Sequence, residues 1–389
     1  MKSKKLVLAL SAAAIGGFLL FIGINVLKMD VSLSTTIDFT APKSSLTGVD
    51  IDTGYGQWAV AVNGNVIFKS EDELPIQPTA STTKMILALA VMEKKPFELG
   101  DGGETIVITD EMYDKYAWYL NNNGSNTPVY VGEEISEYDA LASTLMVSSN
   151  NMADSLAIWA FGSLGEYREY AMNMLSKMGL VHTTIGEDAS GFSESTTSTA
   201  EELATIGNKV LEQPVLAEIV SRSEYEVPVA GELQNTNKLL GELGIIGVKT
   251  GYIGEPSGYC LVSGYKVGNN NVTVALLGAL SREQSFDDSR TIVESLHTQL
   301  VEQVIVPKDT VVGYYDSWWA GKVSISTVDE VSDVVYEDLA GELKMNGING
   351  ELIVSSLDNS YEAAVKTEEF ALEPSFWQKI LHVFGWRAE

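Results

Sequence analysis

Ala80-Ser81-Thr82-Thr83-Lys84-Met85-Ile86-Leu87-Ala88-Leu89-Ala90-Val91-Met92 is the stretch whose reading decides the fold. From Met85 to Met92 every residue is apolar, so this segment reads as a helix buried on all sides rather than on one face. Its polar N-terminal end then lies inside the protein. Ser81 and Lys84 are three apart, which on a helix places them on one face with the amine beside the hydroxyl. A serine needs a base to attack an amide, and a desolvated lysine with a lowered pKa is one. The helix N-terminus also turns backbone N–H groups toward the same point. An S-x-x-K pattern alone is common and more often marks an ordinary helix start.

Two further segments add to it. Lys249-Thr250-Gly251 closes a strand read over Ile245–Thr250, which pairs with Tyr259–Tyr265. A lysine there supplies positive potential, the threonine hydroxyl can bond a carboxylate, and Gly251 lets a substrate backbone approach the strand edge. Alone, this triplet also fits a surface lysine before a turn. Ser148-Ser149-Asn150 precedes the helical run Met152–Ala160. A serine hydroxyl can relay protons there and an asparagine amide can hold a peptide bond, although Ser149-Asn150-Asn151 fits the same pattern and either serine would serve as a cap.

The order S-x-x-K, S-x-N, K-T-G, each at an element boundary, is specific where its parts are not. With Met146-Val-Ser-Ser-Asn-Asn151, Asp188-Ala-Ser-Gly191, Ser198-Thr-Ala200, Asn235-Thr-Asn-Lys-Leu-Leu240 and Gly247-Val-Lys-Thr-Gly251, the chain resembles the low-molecular-mass penicillin-binding proteins. Within them it resembles the D-alanyl-D-alanine carboxypeptidases of the S11 peptidase family, over about 45–372. The resemblance implies an α+β fold: a penicillin-binding/β-lactamase-like transpeptidase domain, antiparallel sheet with helices, followed by a small all-β domain. It implies that Ser81 is the nucleophile and Lys84 its base, and it aligns Ser148 and Asn150 with the serine-x-asparagine motif. Ser148 and Lys249 then assist proton transfer, Asn150 orients the substrate, and Thr250 with Lys249 receives the terminal carboxylate beside Gly251. The N–H groups of Ser81 and Tyr252 form the oxyanion hole. The implied substrate is a peptidoglycan stem peptide ending in D-Ala-D-Ala, with β-lactams as inhibitors and no cofactor or metal. Some relatives carry an arginine near Thr236 for the carboxylate. Here the segment leaves either Lys238 or no residue for that contact, and D,D-endopeptidase action stays as an alternative.

Working outward, Gln57 to Ser70 reads as two strands joined at Asn63-Gly64, a strong hairpin signal. Helical patterns recur over 137–160, 164–178, 199–212 and 283–304, and strands over 245–250, 259–265 and 272–277. Past Val306 the short β-branched runs Val311–Tyr315, Lys322–Val328, Val334–Leu339 and Glu351–Ser356 suggest a separate β module. At the N-terminus Met1-Lys-Ser-Lys-Lys5 precedes an uncharged run from Leu6 to Leu27, which as a helix spans roughly 33 Å. That predicts a signal-anchor in a bacterial cell membrane, with the rest of the chain on the extracytoplasmic side; the alternative is a cleaved signal peptide, whose small-residue site would follow the run where Lys28-Met-Asp30 stands. The expected organisation is an anchor over 1–30, a polar linker over 31–47, a peptidase domain over 48–305, a β domain over 306–372 and a C-terminal helix over 373–389. In that helix Phe376, Trp377, Ile380, Leu381 and Phe384 form an apolar face suited to a membrane interface or to the β module.

Composition narrows the rest. Against 53 Asp and Glu stand 25 Lys and Arg, a net charge of −28, which repels nucleic-acid phosphates. One cysteine excludes an intramolecular disulfide, and three scattered histidines offer no zinc spacing. A β-lactamase would share the three motifs but needs a deacylating glutamate, usually in E-x-x-L-N, and none occurs between Asn150 and Lys249. No G-x-S-x-G elbow marks an α/β-hydrolase. A catalytically dead wall-binding surface protein would not need all three motifs intact.

Overall fold

A computed structural model describes residues 2–27, 29, 34–43, 46–49, 51, 53–71, 73–334, 339–355 and 360–384, with backbone alone for 2–13 and 27. The chain divides into two compact units, one of residues 45–301 and one built from 1–44 together with 302–389.

The larger unit is organised by a five-stranded antiparallel sheet. Its order is Gly247–Tyr252, Tyr259–Val267, Asn270–Ala279, Gln57–Val62 and Asn65–Lys69. The expected hairpin turns at Asn63 and Gly64, both at positive φ as a two-residue I′ turn requires. Side chains alternate between sheet faces. Thr273 donates to the Ala204 carbonyl of helix Ala200–Glu212 at 2.8 Å. Ser263, of opposite parity in that register, meets Ser289 of helix Arg282–His297 at 2.7 Å. With both faces covered, Gln57–Val62 is buried at every residue.

Helix Lys84–Lys94 is the centre of the core, buried over Met85–Ala88 and Ala90–Met92. It is surrounded by the helices Glu137–Met146, Asn150–Phe161, Leu164–Lys177 and Ala200–Glu212. Ala88 and Ala90 are small enough to let those neighbours approach. The helical pattern read as one element over 137–160 is two. Ser148 has φ 62° and Ser149 caps the second helix by accepting from Met152 N–H, so the chain breaks at the S-x-N motif.

In the smaller unit the antiparallel order is Ser34–Ile37, Val311–Ser317, Gly321–Thr327, Ser360–Thr367, Asn349–Ser355 and Ala340–Asn346. Ile305, Val312, Ile325, Leu352 and Val365 form its core. Two boundaries differ from expectation. The segment read as a polar linker over 31–47 contains the edge strand Ser34–Ile37, and Phe39 and Ala41 pack on the core. Helix Arg282–His297 ends before the expected 304, and Glu302–Val306 is already a strand of this unit. Positions 335–338 and 356, in the expected strands 334–339 and 351–356, lie outside the described residues.

The apolar run at 6–27 lies in helix Lys2–Leu27. The expected membrane span is not supported: among the described residues no helix is long and apolar enough to cross a membrane. The C-terminal helix is Phe376–Val383, opened by a capping box between Ser375 and Gln378. His382 stacks on Trp318 at 4.0 Å, while Phe376 and Trp377 are 62% and 70% exposed.

Candidate active site

Ser81 lies in a short 3-10 turn, Ala80–Thr83, that leads directly into the buried helix. Thr82 ties the turn back by donating to the Thr79 carbonyl at 2.7 Å. The central helix therefore delivers Lys84 to the interior with no exposed surface. Its Nζ contacts Ser81 Oγ at 2.8 Å, Asn150 Oδ1 at 2.8 Å and the Ser190 carbonyl at 2.7 Å. Burial moves the Lys84 pKa from 10.5 down to about 7, against an opposite pull from Asp188 and then Asp154. A lysine so placed is an amine in a useful fraction of molecules at neutral pH.

Strand Gly247–Tyr252 brings the third motif to the same place. An ideal Cβ on Gly251 would stand 3.0 Å from Ser81 N and 3.2 Å from the Thr79 carbonyl, so glycine lets the strand end lie against the nucleophile turn without pushing it back by a few tenths of an ångström. Lys249 is buried, donates to the Thr250 carbonyl at 2.9 Å, and is held well below the ordinary lysine range by burial and then by Lys84. The Thr250 and Thr236 hydroxyls meet at 2.7 Å. Tyr252, half-exposed, stacks on Tyr259 at 4.1 Å.

Of the two possible S-x-N registers, Ser148 and Asn150 are the residues turned to the site. Ser148 lines a cavity of about 250 Å³ that also holds Ser81, Thr250, Gly251 and Tyr252. Asn150 bonds Lys84 through its side chain and the Ser125 carbonyl through its N–H. Ser149 caps its helix, and Asn151 bridges to the Thr127 backbone in both directions at 2.9 Å.

Lys238 is not part of this cavity: its side chain is exposed and donates weakly to the Asn235 carbonyl. Arg282 lines the cavity instead, from the first turn of helix Arg282–His297, and was missed in the sequence. A signal existed. A cation at a helix N-terminus opposes the macrodipole, so Arg282 directly after the cap Ser281 is misplaced for helix stability alone. Ser190 was also missed in its role, because the group used is its backbone carbonyl. Among the described residues no Asp or Glu lines the cavity.

A family model described as D-alanyl-D-alanine carboxypeptidase, peptidase S11, matches residues 56–281. The chain belongs to this family. All eight site residues inferred from the sequence fall inside the matched region. DacF, a D-alanyl-D-alanine carboxypeptidase of Bacillus subtilis, is 25% identical over 221 residues, 56% of this chain and 54% of that protein. This chain thus spans about half of DacF's length. A D-alanyl-D-alanine endopeptidase of Pseudomonas aeruginosa is 25% identical over 292 residues, covering 72% of this chain and 88% of the relative. The crystal structure of the Streptomyces K15 DD-transpeptidase matches with a TM-score of 0.56 at 21% identity, over 67% of this chain and 100% of that one. Penicillin-binding protein D2 of Listeria monocytogenes, in its ampicillin-bound form, matches with a TM-score of 0.52 at 23% identity, over 63% of this chain and 98% of that one. These two likenesses establish the penicillin-binding DD-peptidase fold.

Proposed function

We propose that this S11 peptidase removes the terminal D-alanine of peptidoglycan stem peptides through an acyl-enzyme on Ser81, and that β-lactams acylate the same serine. The observation that carries it is the buried Lys84 amine, with a pKa near 7, 2.8 Å from the Oγ of Ser81, which itself lines a cavity with Thr250 and Arg282. The neutral amine takes the Ser81 hydroxyl proton as Oγ attacks the carbonyl carbon of the D-Ala-D-Ala bond. Negative charge develops on the carbonyl oxygen, against the N–H groups of Ser81 and Tyr252. Collapse breaks the C–N bond, and the departing D-alanine nitrogen collects a proton from Lys84, relayed by Ser148 with Lys249 close by. Water then attacks the ester, losing its proton to the same amine, and releases the shortened peptide. Asn150 orients the peptide bond, while Thr250, Lys249 and Arg282 supply the pole for the substrate's free carboxylate.

That pole suits the free carboxylate at the end of a D-Ala-D-Ala peptide, the carboxypeptidase substrate. The test is D-alanine release from a diacetyl-Lys-D-Ala-D-Ala tripeptide, with intact-mass analysis after benzylpenicillin treatment. Release together with one adduct on Ser81 supports the proposal, and an adduct surviving Ser81→Ala ends it. Cleavage of cross-linked dimers without D-alanine release would move the reading to an endopeptidase.

Attachment to the extracytoplasmic face of a bacterial membrane is part of the same proposal. It is supported by the lysine-flanked apolar run Leu6–Leu27 and by the exposed Phe376 and Trp377 of the tail.

A further inference from the structure

The proton-transfer steps above leave one buried charge near Lys84 without employment. Asp154 is one helical turn after Asn150, so the helix that offers Asn150 Oδ1 to the amine places a carboxylate directly below it. The carboxylate is 1% exposed. Its Oδ1 accepts the Ala189 N–H at 3.0 Å, next to the Ser190 carbonyl that takes another Lys84 contact. Its Oδ2 accepts the Tyr119 hydroxyl at 3.0 Å and faces Lys115 Nζ at 3.4 Å. Tyr119 and Lys115 are themselves one turn apart on helix Asp110–Asn121, and the Tyr119 hydroxyl lies 3.2 Å from Ser190 Oγ.

We infer that Asp154 is a positioning residue that holds the Ser190 carbonyl against the Lys84 amine and supplies the counter-charge beneath it. Asp188 exerts the stronger pull on Lys84, yet its own hydrogen bonds stay within the turn. Its carboxylate accepts the N–H groups of Ser190, Phe192 and Ser193 and the Ser190 hydroxyl, closing the turn on itself. Of the two carboxylates, Asp154 is the one that bonds this turn to neighbouring helices, through the Ala189 N–H and the Tyr119 hydroxyl. A buried carboxylate favours an ammonium nearby, and burial alone pushes the other way, so the two set the balance together. The groups facing Lys84 are Ser81, Asn150 and the Ser190 carbonyl in contact, the anions Asp188 and Asp154, and the cation Lys249. Those facing Asp154 are Lys115, Tyr119, Asp188 and the buried Tyr167, whose phenol is pushed up by burial and by both aspartates. Lys115 is one-third exposed, at the rim of an open cavity of about 380 Å³ walled by Trp118 and Phe192. The counter-charge on Asp154 is therefore partly screened from outside the protein.

The sign follows. Asn at 154 keeps an acceptor for the Ala189 N–H but removes the anion, so Lys84 loses its proton at lower pH. The inference rests on Lys84 acting as the base for Ser81. The experiment is the second-order rate of benzylpenicillin acylation of the full-length chain between pH 5 and 9. Wild type should show an acid limb near 7. Asp154→Asn should move it down by about one unit, making the rate at pH 6, relative to its plateau, several-fold higher than in wild type. Lys115→Met unmasks the carboxylate and should move the limb up, by less, because Asp154 also binds its own proton more readily. Its place at the cavity rim, one-third exposed, spares the core, so it carries the test should Asp154→Asn fail to fold. A limb unmoved in Asp154→Asn, even with a lower plateau, reduces Asp154 to a structural bridge and overturns the inference. An unmoved limb in Lys115→Met does the same. A wild type that benzylpenicillin never acylates refutes the proposed function instead.

Discussion

Replacing Gly191 by alanine puts the link between the Asp188–Gly191 turn and the nucleophile under strain. Gly191 has φ +71°, and an ideal Cβ there would lie 2.0 Å from the Ala80 carbonyl oxygen and 2.7 Å from Thr83 Oγ1. Real Cβ contacts essentially never fall below 3.0 Å, so the turn and the Ala80–Ser81 backbone must separate by at least 1.0 Å (3.0 − 2.0). The Lys84–Ser190 contact, now 2.7 Å, would stretch to about 3.7 Å and cease to be a hydrogen bond. Left-handed backbone strain and overpacking together cost about 2–5 kcal/mol. Misplacing a reacting group by about 1 Å slows chemistry roughly a hundredfold. Gly179 supplies the control: its φ is +77° but nothing lies within 4 Å of an added Cβ. Gly179→Ala should cost only the backbone strain, about 1 kcal/mol, and leave acylation unchanged. The assay is thermal unfolding of both variants beside their benzylpenicillin acylation rates. Acylation in Gly191→Ala equal to that in Gly179→Ala would refute the claim that this turn positions the catalytic pair.

Arg282→Ala removes a charge-assisted bond to a carboxylate, so kcat/KM on a D-Ala-D-Ala peptide should fall about tenfold to a hundredfold, while the C-terminally amidated peptide is unaffected. Equal losses on both would take Arg282 out of carboxylate recognition. Lys84 and Lys249 have folded pKa values below their unfolded ones, so the folded state binds fewer protons and stability rises with pH through this range. The clean window opens roughly one unit above the Glu137 midpoint of about 7, where that carboxyl has finished titrating, and closes below the unfolded cysteine value of 9.0. There the slope should be about 1 kcal/mol per pH unit for each lysine, and urea unfolding of Lys84→Met should show a shallower rise than wild type. For the tail, liposome co-sedimentation of a chain lacking residues 1–30 should be lost when 374–389 are also removed. Binding that survives, or none in either form, would leave the helix as packing for Trp318.

What could be read in the sequence was local. Asn63-Gly64 dictates its own turn, and Met85–Met92 has no polar face to expose, so hairpin and central helix were legible. So was the meeting of the three motifs, because Ser81–Lys84, Asn150 and Lys249–Gly251 each sit at an element end. The break at Ser148 was not, since nothing in a serine's chemistry announces a positive φ. Arg282 lies 201 positions after Ser81 (282 − 81), and only the sheet brings them to one cavity. Lys238 was the nearer cation in sequence and the wrong one in space. Ser34-Thr-Thr-Ile37 read as linker because its partner lies 282 residues downstream at Asp316.

That pairing fixes an order of events during synthesis. The edge strand leaves the ribosome first, and the strand it must join follows only after the whole peptidase unit. At 5–20 residues per second the delay is on the order of tens of seconds. Through that time an unpaired strand is a template for aggregation, and three hydroxyl-bearing residues before one isoleucine keep this one soluble while it waits. Closing the pair also brings the two chain segments flanking the peptidase unit together, making that unit an insertion within the β module. A shortened chain beginning at residue 45 would keep the entire active site yet leave Val311–Ser317 with an open edge, and its defect should appear as self-association rather than as lost catalysis.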